Sequence, residues 1–224
     1  MIPVIAIRPE PGCSATVAAA RAVGLAARGF PLFAVRAVAW EPPEGPFDAL
    51  LAGSANAFRH GGAGLSTWRD LPVLAVGAAT AAAAREAGFA VARTGGGSLQ
   101  DLLESLAPAP QRLLRLAGAD RVELAPPPQI VLVERTVYAS EPVPMPAALA
   151  GLLTEPAVVL LHSGIAAAHF AAECDRLAID CSRLRLAALA PRVAEAAGEG
   201  WHQVASAAAP DDGALLALAR RMCQ

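Results

Sequence analysis

The chain has 224 residues, 55% hydrophobic but only 4% aromatic, with a formal net charge of −2. That length fits two compact units of roughly 100 residues, each able to bury a core of Ala, Leu and Val. The mean hydropathy of +0.44 raises the question of a membrane, but no run of about 18 uncharged apolar residues exists. A nucleic-acid binder shows a basic stripe. Here the densest basic stretches, "RLLRLAGADR" and "DRLAIDCSRLR", are diluted by acids and read as a solvated helix face or strand edge. Cys13, Cys174, Cys181 and Cys223 show no CxxC, and His60, His162, His169 and His202 no paired spacing. No zinc motif is therefore present, and free thiols in a reducing compartment are expected. The opening "MIPVIAIRPEPG" has no basic segment before its apolar run and reads as a strand, so a cytoplasmic protein is expected.

In chain order, "VIAIRP" (4–9) is an apolar strand. Ser14 is placed to cap a helix, Ala15–Arg28, that stops at Gly29. "FPLFAVRAVAW" is a second extended run, and "EPPEGP" breaks regular structure. "FDALLAGS" (47–54) is a strand, Ser54-Ala55-Asn56 opens a short helix, and "GGAGLS" is a loop. "LPVLAVG" (71–77) is a strand, 78–87 a helix and "FAVART" (89–94) a strand. "TGGGS" lacks the Walker lysine and the GxGxxG spacing and reads as a flexible loop. Ser98 caps a helix over 99–106, "QRLLRLAG" (111–118) is a strand, and "DRVELAPPP" is broken by three prolines. The alternating, β-branched run 130–138 is a strand. Beyond it, Pro142, Pro144 and Pro146 impose an extended linker. The pattern then restarts: helix 147–153, strand 157–162, helix from Ser163, strand 184–189, helix 190–197, strand 201–205. A last helix, 212–222, is capped by Asp211 or Asp212.

Alternating apolar strands and helices predict parallel sheets covered on both faces. One stretch is written twice. "LAVGAATAAAAREAGFAV" (74–91) and "LAALAPRVAEAAGEGWHQV" (186–204) share an apolar run, a small-residue turn, an alanine-rich segment and a glycine before an aromatic residue. Two similar lobes therefore imply two similar half-sites. Ligands of open α/β sheets sit at the carboxyl ends of the strands. Those ends carry Arg8, Ser54, Gly77, Gly118, Ser163 and Ala190-Pro191, so a cleft between the lobes is the expected site. "SAN" (54–56) and "HSG" (162–164) each follow a strand and open a helix, where free N–H groups and a hydroxyl cap the helix or hold an anion. "GAAT" (77–80) has "APRV" (190–193) as its counterpart. Gly77 serves close ligand approach or tight packing, and Arg192 meets an anion or water. Tyr138, the single tyrosine, is a hinge anchor or a weak acid aimed at the cleft. The residues alone lead to a two-lobed α/β protein binding a small anionic ligand.

The ordered set "IAIRPEPG", "FDALLAGSANAF", "LPVLAVGAATAAAAREAGF", "LLRLAGADR", "VERTVYASEP", "AVVLLHSGIAAAHF" and "LAALAPRVAEAAGEGW" resembles the uroporphyrinogen-III synthase family over almost the whole chain. The resemblance implies two similar parallel-sheet α/β lobes joined by a two-stranded antiparallel linker. One lobe would be 1–35 plus 143–224, the other 43–132, with linker strands 36–42 and 133–142. It implies a cofactor-free and metal-free cyclising lyase of heme and porphyrin biosynthesis. Such an enzyme takes hydroxymethylbilane, removes its hydroxyl as water and closes the macrocycle with ring D inverted through a spirocyclic pyrrolenine. Tyr138, matching the family's tyrosine in "VY", is the implied catalytic residue. Arg8, Ser54, Ala55, Asn56, Gly77, Thr80, Gly118, Arg121, Ser163, Gly164 and Arg192 are the implied substrate-binding set. A monomer without membrane or nucleic-acid partners, fed by hydroxymethylbilane synthase, is expected. "APRVA" lacks the second "GxxTA", and "ELAPPPQIV" is shorter than the helix and turn that family members carry after Gly118–Arg121. The alternatives are a non-catalytic two-lobed binder of small anions and an inactive paralogue.

Overall fold

The computed structural model describes residues 2–106 and 111–224. In chain order its elements begin with β1 (Val4–Ala6), α1 (Gly12–Ala22), β2 (Ala27–Gly29), β3 (Phe33–Ala37), β4 (Ala49–Ala52) and α2 (Asn56–His60). Next come β5 (Val73–Val76), α3 (Ala78–Glu86), β6 (Val91–Gly95), α4 (Leu99–Glu104), β7 (Gln111–Gly118) and β8 (Ile130–Pro142). The chain closes with α5 (Ala147–Leu152), β9 (Ala157–Leu161), α6 (Gly164–Arg176), β10 (Leu184–Ala188), α7 (Pro191–Glu195), β11 (Gln203–Ser206) and α8 (Asp212–Met222). It divides into two compact units, Met1–Ala34 with Glu141–Gln224, and Val35–Ser140.

The first unit is built on a parallel sheet of order β11-β10-β9-β1-β2. Its central strands β1 and β9 are apolar throughout because both faces are buried, while the edge strands β2 and β11 are partly exposed. Ile5, Val159 and Leu161 join one core with Leu149 of α5, Phe170 of α6 and Val193 of α7. Val4, Val158 and Leu160 join the other with Val17 of α1 and Leu215 of α8. The expected helix over 15–28 is shorter and lies earlier. Gly24, at φ +83°, turns the chain out of α1, and Ala27–Gly29 becomes an edge strand paired with β1. Ser14 is not the cap; its hydroxyl donates to Glu10 Oε1 at 2.8 Å from within the first turn. Asp211 caps α8, accepting from Ala214 N at 2.8 Å, while Arg220 and Arg221 sit in its last turn, where the helix dipole favours cations. Glu173 of α6 accepts from the backbone N–H of Met145 and from Arg176, both at 2.6 Å. These bonds hold its carboxyl down to about 2, with the Arg176 contact the larger cause.

The second unit carries a sheet of order β3-β8-β7-β4-β5-β6, parallel from β8 to β6. Val38 N donates to Val137 O at 3.0 Å beside β3. Leu50 and Ala52 of β4 face a core with Phe58 of α2, Trp68, and Ala81 and Ala84 of α3. Ala49 and Leu51 face Leu102 and Leu103 of α4. The strand expected over 130–138 runs on to Pro142, so the first of the linker prolines ends β8 and is not outside it. "GGAGLS" is not a plain loop. Its latter part enters a 3-10 helix, Ala63–Trp68, that buries Leu65 and Trp68. Nor is "RLLRLAGADR" a solvated edge: β7 lies between β8 and β4, and Arg115 is only 3% exposed.

The repeated stretch recurs in three dimensions. β4-β5-β6 and β9-β10-β11 are laid down in the same neighbouring order. Gly88 (φ +86°) and Gly200 (φ +94°) occupy conformations that exclude most side chains. The aromatic residue after each glycine packs on an aromatic ring of the helix that follows the first strand of the repeat. Phe89 lies 5.5 Å from Phe58 of α2, and Trp201 lies 5.7 Å from Phe170 of α6.

Candidate active site

In the second unit, the carboxyl ends of β4, β5, β7 and the bend in β8 surround a cavity of about 800 Å³. Ser54, Gly118, Arg121 and Tyr138, four of the residues singled out in the sequence, line it together. Tyr138 reaches it through a slip in the ladder. Ala117 pairs with Thr136, but Gly118 pairs with Tyr138, so Val137 is passed over and buried in the core. Bulges of this kind re-aim a side chain. The half-buried phenol comes to lie directly on Gly118, where an added Cβ would stand 2.7 Å from Cε2 and Cζ and 2.9 Å from the hydroxyl. Glycine here serves close approach of a side chain to backbone. Arg121 donates from Nε to Glu134 (3.2 Å) and from Nη1 to Thr136 (3.1 Å). Ser54 Oγ accepts from Asn56 N at 3.2 Å.

The rest of the expected set in this unit sits beside the cavity and does not line it. Ala55 precedes α2 and is 9% exposed, and Asn56 opens that helix. Gly77 adopts φ +82° with open space where a Cβ would stand, so its requirement is the turn into α3 and not a close neighbour. Thr80 is 4% exposed on the inner side of α3.

At the strand ends of the first unit, Asp212 in the first turn of α8 gathers three side chains. Arg8 Nη1 lies 3.3 Å from both carboxylate oxygens, and Thr16 Oγ1 donates to Oδ2 at 3.0 Å. His162 Nε2 stands 3.4 Å from Oδ1, though neither ring nitrogen meets a partner in hydrogen-bonding geometry. Burial first, and the Arg8 charge second, push the His162 pKa down to about 4, against the pull of Asp212. The imidazole is therefore neutral at pH 7. Ser163 caps α6, accepting from Ala166 N at 3.2 Å. Gly164 lies close to α7, where a Cβ would come 3.3 Å from Ala196. Arg192 is exposed on the five-residue α7.

Sequence reasoning missed Arg115, Glu134, His162 and Asp212 as site groups. A charge inside an otherwise apolar central strand was the available signal for Arg115. Nothing in the local sequence joins Asp212 to Arg8, 204 positions away. Among the described residues no group of three or more His, Cys, Asp or Glu could hold a metal ion, and no helix is long and apolar enough to cross a membrane.

Parallel strands whose carboxyl ends carry helix starts, arginines and a phenol define an α/β protein of the class whose ligands sit at the strand ends. The family model for uroporphyrinogen-III synthase HemD matches residues 14–217. The chain belongs to the uroporphyrinogen-III synthase family, cyclising lyases of porphyrin and heme biosynthesis. Its structure is similar to that of uroporphyrinogen-III synthetase from Helicobacter pylori 26695, with a TM-score of 0.66 and 17% identity over 99% of this chain and 100% of that one. Two Thermus thermophilus uroporphyrinogen III synthase structures, one of a mutant, align along 100% of this chain and 99% and 100% of theirs. Their identities are 18% and 19% and their TM-scores 0.48 and 0.43. No curated protein sequence matches the chain.

Proposed function

We propose that this chain closes hydroxymethylbilane into uroporphyrinogen III with Tyr138 as its acid. Loss of the substrate hydroxyl as water needs a proton or a strong hydrogen bond at that oxygen. A positioned phenol supplies it. The rest of the catalysis is positioning: the reactive chain must be held so that the substituted carbon of ring D is attacked before simple closure intervenes. The observation that carries this reading is the ring of Tyr138, set on Gly118 at the edge of the cavity.

The substrate carries eight carboxylates, and a protein of net charge −2 does not steer it by overall field. Local groups hold it instead: N–H groups at 54–56, 77–80 and 163–164, with Arg8, Arg121 and Arg192. The reading includes a cytoplasmic monomer that takes its substrate from hydroxymethylbilane synthase. The test is Tyr138→Phe, assayed with that synthase and with isomers I and III resolved. Isomer III formation should fall at least tenfold, within the range of acid catalysis, with the fold unchanged. An unchanged rate removes Tyr138 from the chemistry. A chain that binds substrate without turnover is a binding protein and not a synthase.

A further inference from the structure

β7 and β8 run parallel, yet residues 119–129, which join them, contain no helix. Parallel crossovers are usually covered by one. The segment is held at several points: Ala119 N donates to Tyr138 O at 2.9 Å, and Arg121 binds Glu134 and Thr136. The Gln100 amide donates to Ala125 O at 2.9 Å and accepts from Ala125 N at 3.0 Å. The space that a helix would fill is left as part of the 800 Å³ cavity, walled by Leu99 of α4, Leu116 of β7 and Leu124 of the crossing.

At its floor lies the Arg115 side chain, 4% exposed. Nη1 is bound to Glu134, Nη2 donates to Val122 O at 2.9 Å, and Nε has no partner. A buried donor without an acceptor is costly and calls for a reason. Glu134 is shared, since its second oxygen accepts from Arg121. Two guanidinium groups and one carboxylate leave this cluster one positive charge in excess. Asp120 and Glu123, which also line the cavity, are solvent-exposed, where water and salt weaken their opposition.

We propose that this cavity is a carboxylate subsite that takes one acidic arm of the linear tetrapyrrole. The acid end meets Arg115 and Arg121, and the pyrrole edge lies against Leu99, Leu116 and Leu124. The proposal rests on hydroxymethylbilane being the substrate. It places a held arm next to Tyr138, which lines the same cavity.

Two experiments test it. In the full chain labelled with [15N]arginine, the Arg115 Nε–H resonance is assigned by its loss in R115K or its shift in E134Q. Pyrrole-3-propionate should move that resonance, and pyrrole-3-propionamide should not. No movement with the acid at millimolar concentration, or equal movement with both, overturns the subsite. In the coupled assay, R115M should raise KM for hydroxymethylbilane about tenfold, the worth of one charge-assisted hydrogen bond. E134Q should lower KM, because it frees both arginines of their counter-charge. Both changes break the same ion pair, so a purely structural role moves KM in the same direction in each, and that result refutes the proposal. Isomer III from the unmodified chain with an unchanged KM in R115M sinks the subsite alone. No isomer III from the unmodified chain sinks the synthase reading beneath it.

Discussion

Gly118→Ala tests whether the placement of Tyr138 matters. The backbone at Gly118 lies outside the left-handed region, so alanine is conformationally allowed there. The obstacle is the phenol, whose Cε2 and Cζ would lie 2.7 Å from the new methyl group. Carbon atoms rest about 3.5 Å or more apart, so the ring must retreat by roughly 0.8 Å. A misplacement of about 1 Å costs on the order of a hundredfold in rate, or about 2.7 kcal/mol of barrier. We expect isomer III formation to fall by about that factor while isomer I, the product of closure without inversion, rises in the coupled assay. The single tyrosine makes the cause visible, because ring-labelled tyrosine yields one set of NMR signals. An unmoved tyrosine signal refutes the packing argument. A moved signal with an undiminished isomer III rate refutes the role of the phenol.

Three residues of the first unit carry the further outcomes. Glu173→Ala removes the acceptor of a buried Met145 N–H and a partner of Arg176, and should lower the unfolding free energy by about 1–3 kcal/mol in urea titrations. For His162, the folded pKa of about 4 lies below the unfolded value of about 6.5. The unfolded chain therefore binds the extra proton, and stability should fall as pH drops through 6.5 and level off below 4. Between pH 7 and 5 this amounts to on the order of 2 kcal/mol. The His162→Gln chain should show a flatter profile over that interval, and an identical slope would exclude the imidazole as the source. Glu173, its carboxyl held near 2, contributes stability above the ordinary carboxylate range that is lost only on further acidification toward pH 2. Gly151→Ala, in a helix position where a Cβ meets nothing within 4 Å, should raise the melting temperature through a gain of about 0.5–1 kcal/mol.

Local chemistry carried most of the element reading. Ser98, Ser163 and Asp211 cap their helices through the hydrogen bonds their side chains predict. The 74–91 and 186–204 likeness foretold a three-strand segment that recurs in both sheets, β4-β5-β6 and β9-β10-β11, because a βαβ repeat packs in the same way each time it is written. The misreading at 15–28 has a physical origin as well. "ARG" at 27–29 carries no strand signal and is extended because β1 offers an unpaired edge.

By itself, the sequence determined the parallel α/β class, the repeat, and the residue types at the strand ends. These come from periodicity and capping, which act over a few positions along the chain. Only the tertiary structure decided that Val137 is skipped so that Tyr138 meets Gly118, that Arg115 is buried with a donor unmet, and that Asp212 joins Arg8 and His162. Those outcomes depend on register between strands and on contacts between distant segments, where one residue of slip changes which face a side chain occupies.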